Sequence, residues 1–134
     1  MRANNSFRYV CFVVCLVSQT SVANATDKYP ALADELTKGR VVWLANCETC
    51  HAYGTAGAPN PLKPAEWKER VGKPRATLYE HAIEGFYGES DTYMPPRGGN
   101  PQLSDNDVKF AVDYMVALAN FFLQKSQELS LIHI

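Results

Sequence analysis

The chain has 134 residues, 46% of them apolar and 20% charged, which suits one domain with a packed core and excludes a disordered chain. Thirteen basic residues against fourteen acidic ones leave a net charge of -1, so there is no basic surface of the size nucleic acid requires. No internal apolar run approaches the roughly 20 residues of a membrane span.

Residues 1–25 read as a cleaved secretory signal. Arg2 and Arg8 form a basic start, an apolar run covers residues 9–17, and Ala23-Asn24-Ala25 is an A-x-A peptidase site. Neither Cys11 nor Cys15 follows the small residues of a lipid-attachment site. Cleavage after Ala25 removes both, leaving Cys47 and Cys50 in an oxidising compartment on a chain of net charge -3. The expected location is therefore the periplasm.

Leu32, Leu36, Gly39 and Trp43 recur at helical spacing, which predicts a helix over residues 31–46. Gly39 weakens a helix by about 1 kcal/mol relative to alanine, a cost that makes sense where a second helix crosses closely. Cys47-Glu48-Thr49-Cys50-His51 follows. C-x-x-C-H is the attachment pattern of c-type haem: two thiols three positions apart reach two vinyl groups of one porphyrin, and the adjacent imidazole supplies a proximal iron ligand. A thioredoxin-like dithiol needs a βαβ setting that the pattern lacks. Structural zinc needs a fourth ligand, from His81 or His133.

The Gly/Pro-rich stretch over 54–61 is a loop of the kind that offers a backbone carbonyl to a ligating imidazole, with Pro59 the expected donor of that carbonyl. Pro64 opens a short helix over 64–71, and 75–84 forms another, stopped by Gly85. Trp67, Leu78 and Ile83 are expected in the core or against the haem. Lys63, Lys68, Arg70, Lys73 and Arg75 cluster in sequence, more simply a solvated helix pair than a docking patch.

In Tyr93-Met94-Pro95-Pro96-Arg97-Gly98-Gly99 the prolines and glycines shape a loop, and the Met94 thioether is the expected sixth ligand. The alternatives are a gap-filling methionine, with His81, His133 or an open site at the sixth position. Ser104 and Asp107 form a capping-box-like start to a last helix. Val108, Val112, Met115, Ala119 and Phe122 make its apolar face, widened by Phe110 and Tyr114. The chain thus divides into the signal, a single domain over 26–124, and a disordered tail over 125–134. Residues 129–134 admit the reverse translation CTG TCT CTT ATA CAC ATC, the mosaic end of transposase-made sequencing libraries. They are expected to be an adaptor artefact, and His133 is discounted as a ligand. Amplifying and resequencing the genomic locus should fail to find those codons; finding them intact would make the tail genuine.

The order of Gly39/Trp43 helix, C-x-x-C-H, Gly57-Ala58-Pro59, Met-Pro-Pro-Arg-Gly-Gly loop and Tyr114-Met115 helix resembles class I c-type cytochromes, and among them the short bacterial c-five-like branch, over about residues 38–122. The resemblance implies an all-α small cytochrome c fold, about four helices around one covalently bound haem c, with the terminal helices crossing. It implies His51 and Met94 as axial iron ligands, Cys47 and Cys50 as thioether sites, and Pro59 as the carbonyl orienting His51. Some members carry an extra disulfide just after the Met loop; Asn100 and Leu103 stand there instead, so loop rigidity must rest on Pro95, Pro96, Pro101 and packing.

The implied function is a monomeric, non-enzymatic carrier. It would shuttle single electrons between respiratory-chain redox proteins by transient docking, without nucleic acid or a membrane span in the mature chain. Other classes are a haem enzyme or ligand sensor with a labile sixth ligand, for which His81 and Tyr93 are the nameable distal groups, and a dedicated haem subunit of one dehydrogenase.

Overall fold

A computed structural model describes residues 28–89 and 91–132. The expected signal, with Cys11 and Cys15, lies outside these residues, as does His133.

A 3-10 turn, Asp34–Leu36, leads into α1, Thr37–Asn46. The helix starts later than the apolar spacing predicts because Ala33 is extended and the first turn opens on Asp34 and Glu35, whose charges suit a helix N-terminus. After α1 come α2, Glu48–His51, then α3, Pro64–Trp67, and α4, Arg75–Glu84. Where one helix over 64–71 was expected, α3 stops at Trp67 and a separate 3-10 turn spans Arg70–Gly72. So short a helix holds few internal bonds, and the buried Trp67 anchors it instead. α4 ends at Gly85, whose φ of 89° closes the helix as expected. Two short strands follow, β1 (Phe86–Tyr87) and β2 (Tyr93–Met94), antiparallel with Phe86 opposite Met94 and Tyr87 opposite Tyr93. The hairpin places Met94 in a strand where only a loop was predicted.

The last helix, α5, spans Asp105–Ile132. Its start is a capping box: the Ser104 hydroxyl accepts from the Asp107 N–H at 3.2 Å while the Asp107 carboxylate accepts from the Ser104 N–H at 3.3 Å. Ser104→Ala should therefore lower stability by about 1 kcal/mol, a fall in melting temperature of roughly 4–8 °C in a domain of this size. Thermal unfolding followed by circular dichroism reads this directly. Residues 125–132, expected to be disordered, are helical, because the run from Leu123 holds good helix formers and neither glycine nor proline. From Gln124 onward the helix is exposed and adds nothing to the core.

The core sits where α1 crosses α5. Trp43 and Tyr114 are fully buried, with ring centroids 5.6 Å apart, and Tyr29 meets Trp43 edge-on at 4.9 Å. Val108, Val112, Met115 and Ala119 are buried along α5 as their spacing predicts. Phe110 is the exception: at the crossing its backbone faces Gly39, and its ring lies outside under the Lys38 ammonium, 4.4 Å away. The resulting molecule is mostly helical, with α3 and α4 packed against α5.

Candidate functional site

The C-x-x-C-H motif lies at the junction of α1 and α2. Cys47 caps α1, its N–H donating to the Trp43 carbonyl at 2.8 Å, and the His51 N–H returns to the Cys47 carbonyl at 3.0 Å. One helical turn thus gathers both thiols and the imidazole. Cys47 is half-buried and Cys50 exposed, and no disulfide joins the two. Burial, helped by neighbouring Cys50, pushes the Cys47 thiol up to about 11. A dithiol redox centre needs the opposite shift, toward thiolate.

His51 is buried, and burial holds its imidazole below the ordinary histidine value despite the stabilising Pro59 carbonyl. Nδ1–H donates to that carbonyl at 3.0 Å, leaving Nε2 as the nitrogen with a free lone pair. The loop carrying Pro59 is held from behind by Asn60, buried and fully engaged. Its Nδ2 donates to the Ala52 carbonyl at 2.8 Å, its Oδ1 accepts from Leu62 N–H at 2.9 Å, and its own N–H donates to Glu66 Oε2 at 2.8 Å. Sequence inspection did not single out Asn60 or Glu66; the one available signal was a polar residue directly after the loop proline.

The start of the described chain clamps the motif. Tyr29 Oη donates to Glu48 Oε1 at 2.5 Å, and Lys28 Nζ reaches Glu48 Oε1 at 3.0 Å and the Tyr53 hydroxyl at 2.6 Å. Those two bonds, Tyr29 first, hold the Glu48 carboxyl below the usual carboxylate range. A depressed folded value stabilises above the ordinary pKa, and the stabilisation disappears as pH falls through the folded value. Glu48→Gln should therefore flatten the acid limb of stability between about pH 6 and 3, measured as urea midpoint against pH. A variant that loses stability on acidification as steeply as the parent would show that Glu48 contributes nothing there.

Opposite, the Met94 loop is braced to α1 and α5. Arg97 donates to the Leu103 carbonyl at 3.0 Å and pairs with Asp105 at 2.7 Å, while Asn100 Nδ2 donates to Asn46 Oδ1 at 2.8 Å. Asn100 and Leu103, the positions without the extra disulfide, thus carry polar braces alongside the prolines. Cys47, His51 and Met94 line one cleft, walled by Ala82 of α4, by Leu103, and by Val108, Ala111, Val112 and Met115 of α5. Neither His81 nor Tyr93 lines it: His81 stacks on Phe86 at 4.0 Å, and Tyr93 meets Tyr87 at a tilt with ring centroids 4.5 Å apart. Among the described residues no three of His, Cys, Asp and Glu converge to hold a metal ion, so a zinc site with His81 has no basis. The donor set in the apolar slot is a neutral imidazole, a thioether and the Cys47 thiol, with the exposed Cys50 three positions on and outside the lining, and it suits an iron whose other four ligands come from a porphyrin.

The profile of the family described as "Cytochrome C oxidase, cbb3-type, subunit III" matches residues 34–115. The chain belongs to the cytochrome c family as a small class I c-type cytochrome. This cytochrome is 44% identical over 85 residues to cytochrome c-555 of Prosthecochloris aestuarii, a match covering 61% of this chain and 86% of the relative. Cytochrome c-555 of Chlorobaculum tepidum is 38% identical over 86 residues, 64% of this chain and 79% of its own length. Cytochrome c5 of Ectopseudomonas mendocina is 32% identical over 75 residues, covering 54% and 80%. Among solved structures, a chain of the "electron transfer complex of nitrite reductase with cytochrome c" superposes with a TM-score of 0.54 at 29% identity, over 62% of this cytochrome and 95% of that chain. The family is one of haem c electron carriers, and these relatives are carriers rather than enzymes.

Proposed function

We propose that the mature chain is a periplasmic carrier of single electrons, holding one covalently attached haem c between His51 and Met94. The observation that carries this is the shared cleft: the buried His51 and the half-buried Met94 line the same apolar slot as Cys47. When bound, the haem supplies a one-electron ferric/ferrous couple. Cys47 and Cys50 would anchor it through thioethers. His51, kept neutral by burial and oriented by the Pro59 carbonyl, would ligate the iron through Nε2, and Met94 through its thioether. The apolar wall from α4 and α5 keeps water from the slot, which favours the reduced state because extra ferric charge is costly in a low dielectric. Proline, Arg97 and Asn100 hold Met94 in place, so the ligand set need not rearrange as the electron arrives or leaves.

Redox proteins would dock transiently, as befits a small interface; the structural relative is itself a cytochrome c in complex with nitrite reductase. The Lys63-to-Arg75 cluster is partly neutralised at home. Lys63 pairs with Glu66, Arg75 with Asp113, and Arg70 donates to the Glu66 backbone carbonyl, which supports a solvated helix pair over a lysine-rich docking face.

Absorbance spectra of the periplasmically matured protein, oxidised and reduced, with and without carbon monoxide, test the proposal. A low-spin c-type spectrum with a ferric sulfur-to-iron band, unchanged by carbon monoxide, is expected. Ready binding of carbon monoxide would overturn Met94 as a firm ligand and put a haem enzyme or sensor first.

A further inference from the structure

The peptide group between Pro59 and Asn60 is hydrogen-bonded at both ends to groups of opposite chemical demand. Its carbonyl accepts from His51 Nδ1–H at 3.0 Å, and its N–H donates to the Glu66 carboxylate at 2.8 Å. The two ends of an amide are coupled by the resonance that gives the C–N bond its double-bond character. An anion pulling on the N–H therefore raises the negative charge on the oxygen, and hydrogen bonds in such a chain strengthen one another.

The other contacts hold this arrangement in register. The Asn60 side chain ties the same loop to the Ala52 carbonyl, next to His51, and to Leu62 N–H. Glu66 sits in the first turn of α3, with Lys63 Nζ 3.2 Å from its second carboxylate oxygen and the Arg70 guanidinium on its backbone carbonyl. The Asn60 N–H, and after it Lys63, hold the Glu66 carboxyl below the usual carboxylate range, so it is charged at neutral pH.

We infer that Glu66 is a positioning residue that sets the donor strength of His51 through this single peptide group. The inference rests on His51 being an iron ligand, as proposed above. A more strongly polarised carbonyl draws the Nδ1 proton toward itself and makes Nε2 a better donor. A better donor favours the ferric state, so the Glu66 charge weighs against reduction while the thioether and the apolar cleft weigh for it.

The test uses the haem-loaded protein and three variants: Glu66→Gln, which keeps an acceptor but removes the charge; Glu66→Asp, which keeps the charge but withdraws it by one methylene; and Glu69→Gln, which removes a charge from the exposed neighbouring position. Each is equilibrated with a ferricyanide/ferrocyanide buffer, and the His51 Nδ1–H resonance is recorded by NMR. Glu66→Gln should raise the ferrous-to-ferric ratio about three- to ten-fold at fixed ambient potential and move the ring N–H resonance upfield, as a weakened hydrogen bond requires. Glu66→Asp should shift both readouts in the same direction, and Glu69→Gln neither. If Glu66→Asp stays at parent values, or Glu69→Gln matches Glu66→Gln, the effect is through-space charge and the relay is wrong. Should Glu66→Gln fail to fold, Glu66→Asp carries the same two readouts. A parent without a low-spin His/Met spectrum would sink the ligation itself, whereas low-spin spectra throughout with unmoved ratios would sink only the role of Glu66.

Discussion

Gly39→Ala is expected to destabilise the protein by about 3 kcal/mol or more, toward the upper end of overpacking costs. A Cβ at this position would lie 2.1 Å from the Phe110 carbonyl oxygen and 3.0 Å from Tyr114 Cβ, where ordinary contact begins at 3.4 Å. The obstacle is backbone, so no rotamer change relieves it; α1 and α5 must separate by more than an ångström across Trp43 and Tyr114. Alanine recovers about 1 kcal/mol of helix propensity, which is too little to change the sign. Chemical denaturation of the haem-loaded protein should show the midpoint falling with little change in slope. A variant as stable as the parent would mean the helices do not meet at Gly39.

Met94→Ala is expected to leave the fold standing and open the iron. Met94 is half-buried in β2, where its backbone pairs with Phe86, and alanine preserves that pairing. The ferric sulfur-to-iron band should vanish, carbon monoxide should bind the reduced form readily, and the reduction potential should fall, because thioether ligation favours the ferrous state. Loss of a single core contact costs about 2–5 kcal/mol for a methionine at most, less at a half-exposed site. Retention of the band in this variant would show that another thioether, that of Met115 in the cleft lining, is the ligand.

What could be read from residues alone was whatever has a local cause. α4 runs from Arg75 to Glu84 as predicted because Pro74 and Gly85 bracket it chemically. The Ser104–Asp107 box follows from two residues three positions apart, and the close passage at Gly39 from one. The His51–Pro59 hydrogen bond joins residues eight apart, within reach of a loop argument. The braces that hold the site have no such signature. Asn46 and Asn100 are 54 residues apart, and neither periodicity nor turn chemistry links them. Asn60 and Glu66 looked like an ordinary loop polar residue and an ordinary helix-start acid, and only the folded backbone brings one onto the other. The hairpin was invisible because two-residue strands are too short to show alternation.

The order in which the chain is made gives the α1–α5 crossing a further meaning. Most of the cleft wall opposite the cysteines, Val108, Ala111, Val112 and Met115, belongs to the last helix, while Cys47 and Cys50 follow directly on the first. At about 5–20 residues per second, the roughly 60 residues between them take several seconds to emerge. For that interval α1 lacks the helix it crosses, and the slot lacks the four side chains of its α5 wall. Closure of the slot therefore waits on the last helix of the chain, and the α1 face around Gly39 and Trp43 stays uncovered until α5 arrives.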